Sequence, residues 1–397
     1  MGLVAIAGAI SVMTFPGQTA GLAAFTDPLI QDLGVSRTGI SVSYLIGTLL
    51  GALAQPVIGR TLDRWGARRV TVVIAIGFVF VLLGLSFVSG PVGLTLGFIG
   101  VRMAGQGALS LAATTAIART IHHRRGLALG VAGAVGSAGI SLAPIGLERL
   151  ISMVGFADTW RWEALAVAVI VIPLALLLPG LAPPAKSASL STGSTVTVEG
   201  WTLPEAIRTG MFWVIAASLA ASSMLSTGLA FHQIAILGEQ GLSALEAAAN
   251  FLPQTVTGLL ATLLTGALVD RLSPRLFVKF SMATLAAALL MLPFVSPGWS
   301  AIAYGLVLGA AGGSLRGMEA ASYVRYYGTA HIGTIRGMAV SISLAASALG
   351  PLAFAVGFNV TEGFTVPAMI LAIIPCAVAV LAGFVRAPRR RQAPATL

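Results

Sequence analysis

Acid is scarce in this sequence. Thirteen Asp and Glu stand against 23 Lys and Arg, and the four types together make up only 9% of 397 residues. Soluble domains carry about 25% charged residues, so an ordinary water-facing fold is excluded. Cysteine is nearly missing as well. Cys376 alone rules out an intrachain disulfide and a cysteine-built metal centre. The adjacent His122 and His123 have no carboxylate or thiol near them in sequence, so no metal site is expected. The serines lack a nearby base constellation, so neither an enzyme nor a cofactor is expected. The N-terminus has no basic region and no small-residue cleavage site, and its first apolar run is expected to be a retained span.

Apolar residues are what the chain has in abundance: 57% of the total. Twelve spans of roughly 20 residues need about 240 residues, which the length accommodates with short loops. The net charge of +10 might suggest nucleic acid, but its placement argues for a bilayer instead. With twelve spans and a cytoplasmic N-terminus, 18 of the 23 basic residues fall on cytoplasmic loops and tail. Three (Arg37, Arg149, Arg161) fall outside, and two (Arg102, Arg316) fall within spans. That asymmetry follows the positive-inside rule. The expected fold class is an all-α membrane protein of twelve transmembrane helices in two pseudo-symmetric six-helix bundles. Residues 1–182 form the first bundle, 183–209 a Ser/Thr/Gly-rich cytoplasmic linker, and 210–397 the second bundle with a basic tail.

One charged island interrupts the apolar runs. It reads Gly59-Arg-Thr-Leu-Asp63-Arg64-Trp-Gly66-Ala-Arg68-Arg69, and a weaker copy follows at Gly266-Ala-Leu-Val-Asp270-Arg271. The two aspartates are 207 positions apart (270 minus 63), close to half the chain, as an internal repeat requires. The pattern Gly-x-x-x-Asp-Arg-x-Gly-x-Arg-Arg between spans two and three resembles the loop signature of the major facilitator superfamily. The resemblance implies a gating latch, in which Asp63, Arg64, Arg68 and Asp270 dock on neighbouring helix ends in one conformation and release in another. Phe25-Thr-Asp-Pro-Leu-Ile-Gln-Asp-Leu-Gly-Val-Ser36-Arg37 resembles the first outer loop of the monocarboxylate-transporter-like and oxalate/formate-antiporter-like branch. Arg124-Arg125-Gly126-Leu127-Ala128 and the segment Glu205 to Trp213 resemble the same branch. Carboxylate binders of that branch commonly carry a basic residue in span eight or eleven; here span eight has none and span eleven reads Ser341-Ile-Ser343-Leu.

Polar residues inside spans are the candidate site. Pro16-Gly17 breaks span one, with Gln18 after it; such a break is tolerated where the helix faces protein or water. Arg102 sits near the midplane of span four, with Gln106 one turn on at i+4. A buried guanidinium costs about 2.5–3.5 kcal/mol on insertion scales, so it is expected to face the bundle interior with a partner. Tyr44, Ser226 and Gln254 lie at mid-depth in spans two, seven and eight. His232, near the outer end of span seven, could titrate near neutral pH. Arg316 and Glu319 are three apart and can pair on one helical face; Glu319 reads as the only carboxylate within any span. Trp160-Arg-Trp162 reads as an outer aromatic belt. Ser36 is a candidate helix cap, and Thr202-x-x-Glu205 and Ser243-x-x-Glu246 are candidate capping boxes.

The resemblance and the two buried arginines together imply a secondary transporter of a small organic anion, monocarboxylate-like, moved with protons or by exchange. Gln18, Tyr44, Arg102, Gln106, Ser226, Gln254 and Arg316 would line the substrate path, with His232, Arg316 and Glu319 in coupling or gating. The alternative is a proton-driven exporter of drugs or amphipathic metabolites. The expected setting is a multi-pass protein of a bacterial inner membrane, monomeric, with both termini cytoplasmic and no nucleic-acid partner.

Overall fold

The computed structural model describes residues 2–121, 125–180, 201–269, 271–328 and 331–388. Ten helical stretches in it are long and apolar enough to cross a bilayer. One of them, Leu127–Leu176, runs for 50 residues, far more than a hydrocarbon layer of about 30 Å requires. It breaks at Gly155, whose φ of 80° glycine alone adopts at no steric cost. A further 29-residue helix, Trp299–Tyr327, is less apolar than the ten. Splitting the first stretch and adding this helix gives twelve crossings among the described residues, the expected number.

In chain order the crossings are α1 (Gly2–Leu33), α2 (Arg37–Trp65), α3 (Ala67–Leu85), α4 (Pro91–Thr120), α5 (127–154) and α6 (156–176). Then follow α7 (Gly210–Phe231), α8 (Ala244–Leu268), α9 (Pro274–Phe294), α10 (Trp299–Tyr327), α11 (Ile332–Thr361) and α12 (Thr365–Phe384). The caps read from sequence are present. Ser36 accepts from the Gly39 N–H at 3.0 Å, and both capping boxes close. Large apolar side chains such as Leu53, Phe80, Met153, Phe294 and Phe384 are exposed along the helices, as a lipid-facing belt demands.

The packing repeats. In the first half α1 packs on α5 and α2 on α4; in the second, α7 packs on α11 and α8 on α10, each index shifted by six. Between halves, α2 packs on α11 and α5 on α8, and a two-fold exchange of the halves maps one of those contacts onto the other. Two buried apolar clusters result, one drawn from residues 7–178 together with Phe231 and one from 206–382. Prolines sit inside α1 (Pro28), α2 (Pro56), α5 (Pro144) and α11 (Pro351).

The two ends of the bundle differ. At the end bearing the Gly34 turn, the halves are joined. The Arg37 guanidinium, paired with Asp27 at 2.8 Å, lies 5.1 Å from the Phe358 ring and 5.4 Å from that of Phe364. The Asn359 amide donates to Thr38 Oγ1 at 2.9 Å, and His232 lies 3.5 Å from Ser41 Oγ. At the opposite end, bearing the Gly66 turn, every polar contact among the described residues stays within one half. Asp63 pairs with Arg119, Glu319 pairs with Arg336 at 3.2 Å, and Arg325 donates to the Val269 carbonyl at 3.2 Å. The structure is therefore sealed at the Gly34 end and unlocked at the Gly66 end.

A cross-link tests this seal. With Cys376→Ser removing the native thiol, Thr38→Cys and Asn359→Cys should form a disulfide on mild oxidation. That bond should stop transport turnover in vesicles, and reduction should restore it. Full transport by the oxidised protein would mean that this end need not open.

Candidate functional site

The centre of the site is made by two helix defects that touch. In α1 the helix gives way to a 3-10 turn at Phe15–Gly17, because Pro16 has no N–H to continue the ladder. In α4, residues Arg102–Leu109 adopt a π-helix, a rare form frequent at functional positions. A Cβ built on Gly17 would lie 2.1 Å from the Val101 carbonyl oxygen and 2.8 Å from the Gly105 Cα. Only glycine at both positions lets these backbones meet.

That contact positions Arg102. The residue is 2% exposed. Its Nη1 donates to the Gly17 carbonyl at 3.0 Å, and its Nε donates to Thr48 Oγ1 at 3.0 Å. Gly17 precedes the N-cap Gln18, so its carbonyl lies outside the ladder of the following helix segment and is available. The guanidinium carbon lies 4.4 Å from the centre of the Tyr44 ring, and the Tyr44 hydroxyl is 2.7 Å from Thr19 Oγ1. Nη2 is buried and has no hydrogen-bond partner among the described residues. No carboxylate pairs with Arg102 among the described residues.

Arg102 borders a cavity of about 350 Å³. Its floor is α2 and α4, from Thr48 and Arg102 down to Gln55 and Thr114, and Leu344 of α11 closes it from the second half. It lies between the halves and descends toward the unlocked end. Above Arg102, the Tyr44 ring meets Phe231 of α7 at 4.6 Å, and the sealed layer of Arg37 and His232 lies beyond.

Of the residues singled out from sequence, Tyr44, Arg102 and Gln106 come together here. The Tyr44 ring stands against the guanidinium, and Gln106 lines the cavity. Gln18 flanks the break and donates to Thr14 Oγ1 at 3.0 Å. Gln254 stands outside the cavity, in a side-chain network with Gln233 (2.8 Å) and Asn250 (3.1 Å). Ser226 is half-buried in α7 and makes no hydrogen bond among the described residues. Arg316 is exposed, beside Gly258 and Gly312, and makes no hydrogen bond or ion pair among the described residues. His232 is buried at the seal, its Nε2 3.0 Å from the Pro351 carbonyl. Arg64 and Arg68 are exposed, and Asp270 lies outside the described residues, as do His122 and His123.

Three expectations need correction. Arg316 does not pair with Glu319. Arg336 of α11 reaches that carboxylate, because packing brings an arginine from the neighbouring helix closer than i, i+3 spacing does. Glu319 is not the only carboxylate within a span. Glu163 lies in α6, 3% exposed, and neither carboxylate oxygen has a hydrogen-bond partner among the described residues. It escaped notice because α6 begins at the Gly155 break, earlier than its apolar run suggests. For the same reason Trp160 is no interfacial belt. It is fully buried and stacks on Phe25 with ring centres 3.8 Å apart; Trp162 alone is exposed.

Sequence reading also missed Arg119 and Arg325. Arg119 Nη1 donates to the Leu62 carbonyl at 3.3 Å, and Arg325 Nη1 to the Val269 carbonyl at 3.2 Å. The donors are 206 positions apart (325 minus 119) and the acceptors 207 (269 minus 62), so one bond is made twice. The repeat found at Asp63 could have led to them, had basic residues been compared at the same offset.

Two measurements test this packing. Gly17→Ala should lower stability by more than about 2 kcal/mol, since its Cβ meets backbone that cannot yield, whereas Gly77→Ala, with open space around it, should be near neutral. Glu163→Leu should raise the Tm in detergent, because it removes a buried polar group left without partners.

The comparisons with known proteins agree with the fold. The Major Facilitator Superfamily family model matches residues 6–351. The MFS-type transporter hasB of Aspergillus fumigatus is 35% identical over 137 residues, 34% of this chain and 30% of that relative, so the match spans less than a third of its length. A bacterial homolog of the human lysosomal transporter Spinster, solved in an inward-facing and occupied conformation, superposes with a TM-score of 0.72 at 16% identity, covering 96% of this chain and 95% of the other. The nucleoside transporter NupG superposes with a TM-score of 0.75 at 15% identity, covering 96% and 98%. Identities this low speak for the fold alone, but the family match runs through both halves and every element of the site. The chain belongs to the major facilitator superfamily and is a multi-pass integral membrane transporter.

Proposed function

We propose that the protein is a secondary active transporter of a small organic anion, monocarboxylate-like, working by alternating access. The observation that carries this reading is Arg102: a buried cation with no carboxylate partner, bordering a cavity that opens to one side. A lone guanidinium in a low-dielectric bundle favours an anion that can complete its hydrogen bonding. Gln106 stands beside it in the cavity, and its amide makes no hydrogen bond among the described residues. Tyr44 and Phe231 cover the pair from the sealed side.

Residues 1–182 and 210–397 are the two bodies that rock about this site, joined by 183–209. The unlocked end is cytoplasmic, as are both termini, which matches the distribution of basic residues. Asp63, Arg64, Arg68 and Asp270 belong to the latch at that end, and Glu319 with Arg336 holds α10 to α11 there. Opening the Gly34 end separates Arg37 from Phe358 and exposes His232, so coupling to protons or to a counter-substrate acts at this layer. Gln18, Ser226, Gln254 and Arg316 line the path as it widens. The protein works as a monomer in a bacterial inner membrane.

Flux through proteoliposomes tests the reading, with labelled carboxylates, amino acids and dyes supplied with and without an imposed pH gradient. Carboxylates should be taken up. Arg102→Gln should lower kcat/KM for them roughly 10- to 150-fold, the equivalent of losing a charged hydrogen bond of about 1.5–3 kcal/mol. Arg102→Lys should recover only part, since the ammonium cannot reproduce the fork. Uptake of carboxylates unaffected by Arg102→Gln would defeat the assignment.

A further inference from the structure

Six of the residues bordering the cavity are polar by type, yet the wall they leave exposed is mainly apolar. The hydrogen bonds explain this. Thr48 Oγ1 accepts from Arg102. The Thr114 hydroxyl donates back to the Ser110 carbonyl at 2.9 Å and lies 3.1 Å from that of Leu111. The Gln55 amide donates to the Gly51 carbonyl at 3.3 Å. Thr114 and Gln55 are turned onto their own backbone, Thr48 is taken up by Arg102, and the exposed wall is mostly carbon. Arg102 Nη2 and the Gln106 side chain at the closed end, with the Ser110 hydroxyl and the Gln55 amide oxygen, make no hydrogen bond among the described residues. Below the closed end the wall is Gly51, Ala52, Gly107, Leu111 and Leu344.

We infer that the substrate is an amphipathic monocarboxylate, its head at Arg102 and Gln106 and an unbranched or aromatic apolar body lying toward Leu344, with Ala52 and Leu344 setting the length accepted. This rests on the anion reading above and narrows it. A polyhydroxylated or dicarboxylic acid would leave its far polar groups against carbon, without hydrogen bonds, and each such group carries a desolvation cost. A volume of about 350 Å³ lies at the low end of ligand pockets, so the apolar body has a definite limit. Leu344 is the cavity's one contribution from the second half, so it also senses how far the halves have closed.

The test is binding to the purified full-length protein in lipid nanodiscs. Straight-chain acids from acetate to decanoate, gluconate and adipate compete with a labelled short carboxylate, and the signal left in Arg102→Gln is subtracted. Each added CH₂ should tighten competition about three- to fourfold until the cavity is filled, after which affinity should fall. Gluconate and adipate should compete at least tenfold more weakly than hexanoate. Leu344→Phe should move the optimum to a shorter chain and Leu344→Ala to a longer one. Ala52→Val, in the other half, should also shorten it, which guards against a Leu344 variant that fails to fold. Binding through Arg102 that is flat across chain length, or stronger for gluconate than for hexanoate, would overturn this inference and leave the anion reading standing. If no carboxylate of any length binds in an Arg102-dependent way, both readings fall.

Discussion

A guanidinium sunk among helices without a carboxylate to pair with it is the constraint to which the rest of this structure answers. Placing Arg102 at mid-depth costs a few kcal/mol. The fold offsets this with two hydrogen bonds and an aromatic face. One of those bonds is available only because α1 is broken at Pro16-Gly17, and that carbonyl is within reach only because Gly17 and Gly105 let two backbones touch. Break, π-helix and arginine are thus a single device. Each element is unfavourable alone, and together they leave the Nη2 amino group of Arg102 uncommitted beside a cavity.

Around that device the molecule is built twice. The same arginine-to-carbonyl bond recurs at Arg119 and Arg325, and the same helix pairings recur with every index raised by six. The duplication is not extended to the site. α4 carries its arginine buried, bonded and against a π-helix, whereas Arg316 of α10 is exposed and unbonded. Two similar frames with one specialised member leave the second half to supply a wall, a seal and a moving surface.

Much of this was legible in the residues. Apolar runs and the sidedness of arginines gave the crossings, and Asp63 with its echo gave the repeat. The cost of a buried arginine pointed to Arg102. Pro16-Gly17 was readable as a break. What the break is for was not, because its partner Gly105 lies on another helix 88 positions away (105 minus 17). Pairings across helices were illegible for the same reason: spacing along one helix put Glu319 with Arg316, while packing put it with Arg336. Glu163 was hidden by an error of a few residues in the start of α6, which moved a buried acid to a supposed surface.

The prolines inside α1, α2, α5 and α11 have a mechanical consequence. Each removes one rung of the backbone ladder, and every one of these helices runs along the seam between the halves. α7 and α10 carry no internal proline, whereas α8 carries Pro253 near its middle. At both seam contacts, α2 with α11 and α5 with α8, a proline-bearing helix therefore meets another one. Pro351 stands one helical stretch below Phe358 and Asn359, so the tip of α11 can swing off α2 by bending at its own joint. Opening of the Gly34 end can then draw on bending at this joint, while the buried cores on either side stay packed.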